Sequence, residues 1–261
     1  VNPAGSVLIV IATAGHLLYA AMLFLGARSR YQVSTEQSHE GSATSLKALA
    51  RRHHDFPLYR APQNFINAAS QSLPVLMLAT FFGPVAAGLY TLGTASMGLP
   101  SALLGKAVSD VFYPQITESA NNGGDLPRQI IQATLALLAI GLIPFGLIIF
   151  AGPWFFGLVF GSSWVIAGEY ARWLALFFLF NFINKPAVAA VPVLGIQRGL
   201  LLYEIFSTGT KALGLVIGFY WFASDIWAVA LFSVIGVLAY SAMILWILAH
   251  AKRWRLHAQT S

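Results

Sequence analysis

The stretch IIQATLALLAIGLIPFGLIIF, Ile130–Phe150, decides the class of fold, because it runs for 21 residues without a charged side chain. About 20 helical residues cross the hydrocarbon of a bilayer. A helix is required, since backbone groups in lipid must form their hydrogen bonds within their own segment. The whole chain agrees, with 9% charged and 57% hydrophobic residues, whereas about 25% charged residues is usual in soluble domains. The sequence therefore predicts a helical membrane protein.

Six further apolar runs accompany the first, and most of the connections between them are short. The seven predicted membrane spans are Val7–Ala27, Ala61–Phe82, Ala87–Tyr113, Ile130–Phe150, Ala171–Leu194, Leu200–Phe222 and Ile226–Ala249. We expect the connection Ala151–Tyr170 to be an outer loop. Prolines inside the spans predict kinks, at Pro74, Pro100, Pro144, Pro186 and Pro192. The predicted fold is an all-α polytopic bundle of seven transmembrane helices.

Lysine and arginine residues lie on alternate connections. Eleven of them fall between Arg28 and Arg60, in the third and fifth connections and in the tail, and the second, fourth and sixth connections have none. Cytoplasmic loops carry the excess of basic residues in membrane proteins. We therefore expect a multi-pass protein whose first residues are outside and whose C-terminus is cytoplasmic. The pI near 9.7 does not indicate a nucleic-acid partner, because the basic residues follow the membrane topology.

Composition divides the chain into a first span (1–27), a polar linker (28–60), a six-span block (61–250) and a basic tail (251–261). Within the linker, Leu46–Arg52 predicts a short basic helix on the inner leaflet. An outward N-terminus that begins at Val1 predicts a longer protein with an odd number of preceding spans. The chain has no cysteine, and adjacent His53 and His54 do not share a helix face. We predict no metal and no other cofactor.

Charged side chains inside apolar runs are the main functional clues, because an ionisable group in hydrocarbon usually marks a pathway or a pair. Lys106 and Asp110 are four residues apart in the third span, so they share one helix face. Two interpretations are open: a self-contained ion pair, or a cation that lines a cavity and is tempered by Asp110. Asp110 and Glu204 of the sixth span are the candidates for coupling to a proton or sodium ion.

Two more lysines lie deep in other spans. Lys185 is in the fifth span near mid-bilayer, where it shares a face with Asn181, and Lys211 is in the sixth span. With Lys106, cationic side chains from three spans predict an anionic cargo such as phosphate or pyrophosphate. The amides that we expect to contact a polar ligand, or to bond helices together, are Asn64, Gln71, Asn181 and Asn184.

Several segments together resemble a known family. Phe56–Gly93 reads FPLYRAPQNFINAASQSLPVLMLATFFGPVAAGLYTLG, Met97–Pro114 reads MGLPSALLGKAVSDVFYP, and a Gly-Gly-Asp turn follows. Phe160–Ala175, FGSSWVIAGEYARWLA, looks like the family's outer connection and next helix. These segments resemble the second half of bacterial polysaccharide flippases, the O-antigen (Wzx-type) members of the multidrug/oligosaccharidyl-lipid/polysaccharide exporter superfamily.

The resemblance implies two bundles of six helices around a cavity that opens alternately to each side of the membrane. Residues 61–250 would form the C-terminal bundle, and residues 1–27 the last helix of a missing N-terminal bundle. Such proteins move an undecaprenyl-pyrophosphate-linked oligosaccharide to the outer leaflet of the bacterial inner membrane, for polysaccharide and lipopolysaccharide synthesis. Lys106, Lys185 and Lys211 would then attract the pyrophosphate, and the amide side chains would contact sugars.

Other functions stay open on the residues alone. A cation-coupled drug antiporter of the same superfamily is expected to have an acidic interior. A non-transporting scaffold of the polysaccharide assembly machinery needs no cargo site. A membrane glycosyltransferase or ligase usually needs outer carboxylates, where this chain offers Glu169 and Asp225, so we expect no catalytic residue. The expected partners are lipid-linked oligosaccharide, membrane lipid, the N-terminal bundle and polysaccharide polymerase or assembly proteins.

Overall fold

A computed structural model describes Met22, residues 55–121 and residues 124–258. Within these ranges, the description leaves out the side chains of residues 55–64, 67, 99–100, 102–111, 113, 115, 117, 119–121 and 255–258. Apart from Met22, the predicted span Val7–Ala27 lies outside the described residues, as does the predicted basic helix Leu46–Arg52.

Helices account for nearly all of the described chain, and these ranges contain no strand. In order, they are α1 (Asp55–Phe82), α2 (Pro84–Asn121), α3 (Leu126–Phe160), a 3₁₀ turn (Ser162–Trp164), α4 (Val165–Ile183), α5 (Lys185–Leu194), α6 (Gln197–Phe222) and α7 (Asp225–Ala258). The all-helical character predicted from the apolar runs is confirmed over this part of the chain.

Four stretches are long and apolar enough to cross a membrane: Leu126–Phe160, Ser162–Leu194, Gln197–Phe222 and Asp225–Trp254. They coincide with the last four predicted spans and make the chain a membrane protein. Helices α1 and α2 cover the second and third predicted spans, but the apolar part of α1, Ala68–Phe82, is shorter. The total of seven spans stays a prediction.

The predicted connection Ala151–Tyr170 is mostly helical, so the turn between the two spans is much shorter than predicted. Helix α3 continues to Phe160, and α4 begins as early as Val165. The chain turns at Gly161, whose φ of 98° lies in the left-handed region that favours glycine. The segment before this turn is apolar and contains no helix-ending signal after Pro153, so its backbone stays hydrogen-bonded up to the turn.

The two helices on either side of this turn pack against each other through glycine. A β-carbon added to Gly168 would lie 2.5 Å from Cα of Pro153 and 2.6 Å from the carbonyl oxygen of Gly152. Pro153 has no N–H, so the carbonyl of Ile149, one turn earlier, lacks its usual donor. The Nε of Arg172 on α4 donates to this carbonyl at 2.9 Å. The proline inside α3 is therefore accommodated by its neighbour.

The fifth predicted span is interrupted at Asn184, where α4 ends and α5 begins. Pro186 lies at the start of α5 and cannot donate to the helix before it. Two backbone bonds carry the chain across the interruption, from Asn184 N–H to Phe180 at 3.2 Å and from Val188 N–H to Asn184 at 3.1 Å. Irregular backbone at membrane depth is tolerated where protein buries it or where it lines a cavity.

The helices form a ring. Helix α1 packs against α2 and α6, α2 packs against α4 and α5, and α7 packs against α4, α5 and α6. Helix α3 lies outside this ring, against α4. Its outer face carries apolar side chains that a lipid bilayer would cover, including Leu135, Ile143, Leu147 and Phe150.

Candidate substrate cavity

A cavity of about 610 Å³ lies within the ring of helices. This volume falls in the range of ordinary ligand pockets, about 300–1,000 Å³. Phenylalanine and aliphatic side chains form part of the wall. The remaining part is polar and comes from every helix of the ring: Ser70, Gln71, Tyr90, Thr91, Thr94, Ser101, Asn181, Asn184, Lys185, Tyr203, Glu204, Ser207, Thr208, Lys211 and Tyr240.

Lys211 reaches the cavity from α6 and is only 7% exposed. Its Nζ lies 3.5 Å from Oγ of Ser70, and 5.8 and 5.9 Å from the ring centres of Phe177 and Tyr240. Aromatic faces attract a cation at these distances, which offsets part of the cost of removing an ammonium group from water. A β-carbon on Gly236 would overlap the Phe177 ring, so glycine is needed for this packing.

The hydroxyl of Ser70 joins α1 to α6. It accepts a hydrogen bond from Oγ1 of Thr208 at 3.0 Å and one from Nζ of Lys211 at 3.5 Å. A hydroxyl has two acceptor positions and one proton, so Ser70 in this arrangement has its proton left to donate. The ammonium group carries three protons. These groups together concentrate hydrogen-bond donors, which is the chemistry that an anionic oxygen binds.

Asn184 lies at the interruption between α4 and α5 and is only 3% exposed. Its Nδ2 donates to Sδ of Met243 at 3.6 Å. Its Oδ1 is buried and has no hydrogen-bond partner among the described residues. Lys185 follows directly, lines the same cavity and is half-buried. The interruption of the helix therefore delivers a cation and an amide to the cavity wall.

Hydrogen bonds between helices hold the remaining wall in place. Nδ2 of Asn181 on α4 donates to the hydroxyl of Tyr240 on α7 at 2.5 Å. The hydroxyl of Tyr203 on α6 donates to the carbonyl of Ala239 on α7. Helices in lipid are joined by such polar contacts, since lipid tails are as apolar as the helix surfaces.

The described wall of the cavity carries a net positive charge. Lys185 and Lys211 are its basic side chains, and Glu204 is its acidic one. Glu204 interacts electrostatically with Lys211, which lies two helical turns further along α6. Among the described side chains, no group of three histidines or carboxylates could hold a metal ion. The net charge of this wall is thus suited to binding an anion.

Comparison with known proteins places the chain in a family. Residues 7–169, more than half of the chain, match the model of a polysaccharide biosynthesis protein family. The chain belongs to this family. The match confirms the resemblance to polysaccharide flippases. The comparisons with curated proteins and with solved structures each returned no match.

In this polysaccharide biosynthesis protein, six of the predicted site residues line one cavity: Gln71, Asn181, Asn184, Lys185, Glu204 and Lys211. Lys185 and Lys211 therefore line the same cavity. Helices α1 and α2 include the other three candidates, Asn64, Lys106 and Asp110, but their side chains lie outside the described residues. Both interpretations of the Lys106–Asp110 pair stay predictions.

Sequence reasoning missed the hydroxyl groups of the cavity. Thr91, Thr94, Gly98 and Ser101 recur every three or four residues along α2 and line the cavity. Such a stripe of small, polar residues is a readable signal of one inward face. The three tyrosines of the wall, Tyr90, Tyr203 and Tyr240, carried no comparable signal, because a tyrosine in an apolar run is equally typical of a membrane interface.

Proposed function

We propose that this protein translocates a lipid-linked, anionic oligosaccharide from the inner to the outer leaflet of the bacterial inner membrane. The observation that carries the proposal is the meeting of Lys185 and Lys211 in one polar cavity of a membrane bundle. Membership of a polysaccharide biosynthesis family supports a saccharide cargo. The lipid would be undecaprenyl pyrophosphate, whose phosphates need cationic donors.

The cavity matches the head group of such a lipid better than its tail. Hydroxyl, amide and ammonium groups can bond to phosphates and sugars, while the prenyl chain gains nothing from leaving the hydrocarbon. In this proposal the head group crosses through the bundle and the tail stays in lipid. Access alternates between the two sides of the membrane, with the C-terminal end of the chain in the cytoplasm.

The charge of the cavity wall disfavours a cation-coupled drug antiporter. A cationic drug entering beside Lys185 and Lys211 would meet like charges, against which Glu204 offers one carboxylate. Like charges in a medium of low dielectric constant repel strongly. A non-transporting scaffold gives no physical reason to bury Lys211, since an ionisable group at membrane depth is costly. Glu204 is our candidate for a coupling site of the proposed transporter.

The test is translocation by the full-length protein in liposomes that contain fluorescent undecaprenyl-pyrophosphate oligosaccharide. Arrival at the opposite leaflet is measured by quenching with a membrane-impermeant reductant. We expect Lys185→Ala and Lys211→Ala each to slow translocation about tenfold, the effect of losing about 1.4 kcal/mol of interaction with the pyrophosphate. Lys252→Ala is the matched control, because Lys252 is exposed near the end of α7, and it should translocate at the wild-type rate.

Two results would count against the proposal. This cargo would be excluded if the lipid-linked oligosaccharide crossed the bilayer no faster in liposomes with wild-type protein than in protein-free liposomes. A double variant lacking both lysines that retains the wild-type rate would remove the cavity from the mechanism, although the family would stand.

A further inference from the structure

The side-chain oxygen of Asn184 is a buried polar atom that belongs to a residue of the cavity wall. The side chain is 97% covered, since its exposure is 3%, yet it lines the cavity. Its Oδ1 has no hydrogen-bond partner among the described residues. Buried acceptors are nearly always paired, so an exception at a cavity wall indicates a group that is paired when a ligand is bound.

The chemistry of this oxygen limits what it can recognise. An amide oxygen only accepts hydrogen bonds. The ionised oxygens of phosphate are acceptors too, so Asn184 Oδ1 and a phosphate would repel each other. The amino group of Asn184 already has a partner, because Nδ2 donates to the thioether of Met243 at 3.6 Å, so the oxygen is the atom of this amide that is left to pair. The matching group is a donor: a hydroxyl or an amide N–H.

We infer that the cavity contains two subsites of opposite chemistry. The Lys211–Ser70–Thr208 cluster binds the pyrophosphate, and Oδ1 of Asn184 accepts a hydrogen bond from a hydroxyl or acetamido N–H of the sugar attached to it. This inference rests on the proposed function. It makes Asn184 a specificity residue, which distinguishes a lipid that carries a sugar from the bare lipid pyrophosphate.

The inference is tested by the binding of two lipids to the purified full-length protein. One is undecaprenyl pyrophosphate carrying a single N-acetylhexosamine, and the other is undecaprenyl pyrophosphate alone. We expect Asn184→Leu, which keeps the side-chain volume and removes the acceptor, to bind the sugar-bearing lipid about tenfold more weakly, the usual effect of one lost hydrogen bond to a buried group. Its affinity for the bare lipid should be that of wild type.

Further variants separate recognition from folding. Gln132→Leu makes the same amide-to-leucine exchange on the exposed face of α3 and should leave both affinities unchanged. Asn184→Asp keeps an acceptor and adds a negative charge, so it should retain the preference for the sugar-bearing lipid while binding both lipids more weakly. Lys211→Ala should lose affinity for both lipids equally.

The outcomes distinguish the inference from the proposed function. If wild-type protein binds neither lipid, both are overturned. If wild type binds the two lipids equally, or if Asn184→Leu keeps the preference for the sugar, the sugar subsite alone is overturned. If a folded Asn184→Leu protein loses affinity for both lipids equally, the sugar subsite is also overturned. That result would mean that Asn184 maintains the structure of the cavity.

Discussion

Pro153 lies inside a continuous membrane helix and Pro186 beside an interruption of one, and the surroundings of the two prolines differ. At Pro153 in α3, the carbonyl that the proline leaves without a donor, that of Ile149, receives a hydrogen bond from Arg172 at 2.9 Å. At Pro186, the interruption places Asn184 with its side-chain oxygen unpaired among the described residues. The first site is complete within the protein. The second has bonding capacity left for a ligand.

The packing density also differs: the helices are tightly packed beside Pro153, and a cavity lies beside Pro186. Next to Pro153, Gly152 and Gly168 bring two backbones into contact without space between them. Next to Pro186, Lys185 faces a cavity of about 610 Å³. Close backbone packing and satisfied carbonyls stabilise membrane helices, whereas binding sites often keep groups that lower the stability of the empty protein. Substitutions at the two sites should therefore affect different measurements.

The largest effect on stability should come from Gly168→Ala. The new β-carbon would lie 2.5 Å from Cα of Pro153, and backbone atoms cannot move aside as a side chain can. We expect a loss of about 1–3 kcal/mol in the free energy of unfolding, measured by denaturation in detergent micelles.

The matched control for this substitution is Gly146→Ala on α3, the helix that packs against α4. A β-carbon there meets nothing within 4 Å, and alanine favours a helix over glycine by up to about 1 kcal/mol. Gly146→Ala should therefore be neutral or stabilising. Equal destabilisation by the two variants would mean that the contact between α3 and α4 is not what holds this region together.

The next effect, Lys211→Met, should separate stability from function. Methionine keeps most of the apolar stem and removes a buried ammonium group, so we expect unchanged or greater stability. Binding of the lipid-linked oligosaccharide should fall about tenfold, or about 1.4 kcal/mol. A clear drop in the melting temperature together with normal binding would make Lys211 a structural residue. The cavity beside Pro186 would then contribute to stability and not to binding.

A smaller effect is expected from Arg172→Ala, which leaves the carbonyl of Ile149 unpaired. We predict a loss of about 1 kcal/mol in the free energy of unfolding and normal binding. Arg172 also pairs with Glu169 at 3.3 Å, but these side chains are 43% and 36% exposed. Such a pair contributes at most about 1 kcal/mol and often nothing. Glu169→Ala should be close to neutral, and a loss as large as that of Arg172→Ala would assign the effect to the ion pair.

Much of the fold could be predicted from the runs of apolar residues. The last four predicted spans agree with helices of membrane-spanning length, because the length of an uncharged run is a direct measure of the hydrocarbon that it can cross. The extension of α3 to Phe160 was not predicted. Gly152 and Gly168 bring the backbones of α3 and α4 close together there, and a contact between helices leaves no local pattern in either one.

The candidate site was predictable in part. Buried lysines and amides stood out, since polar groups are rare in apolar runs. Helical spacing placed Asn181 and Lys185 on one face, but it could not show that Tyr240 would pair with Asn181. Nor could it show that Phe177 and Tyr240 would flank Lys211.

The sequence by itself determined that this chain forms helices of membrane-spanning length and that it carries cations within the apolar runs. The reason is that each segment in water-free hydrocarbon must form its own backbone hydrogen bonds and must itself be long and apolar enough to span the bilayer. The tertiary structure alone decided that Lys185, Lys211 and Asn184 line one cavity, and that the side-chain oxygen of Asn184 has no hydrogen-bond partner among the described residues. The spacing of residues in the sequence gives their positions around one helix. The positions of the helices relative to one another depend on tertiary packing.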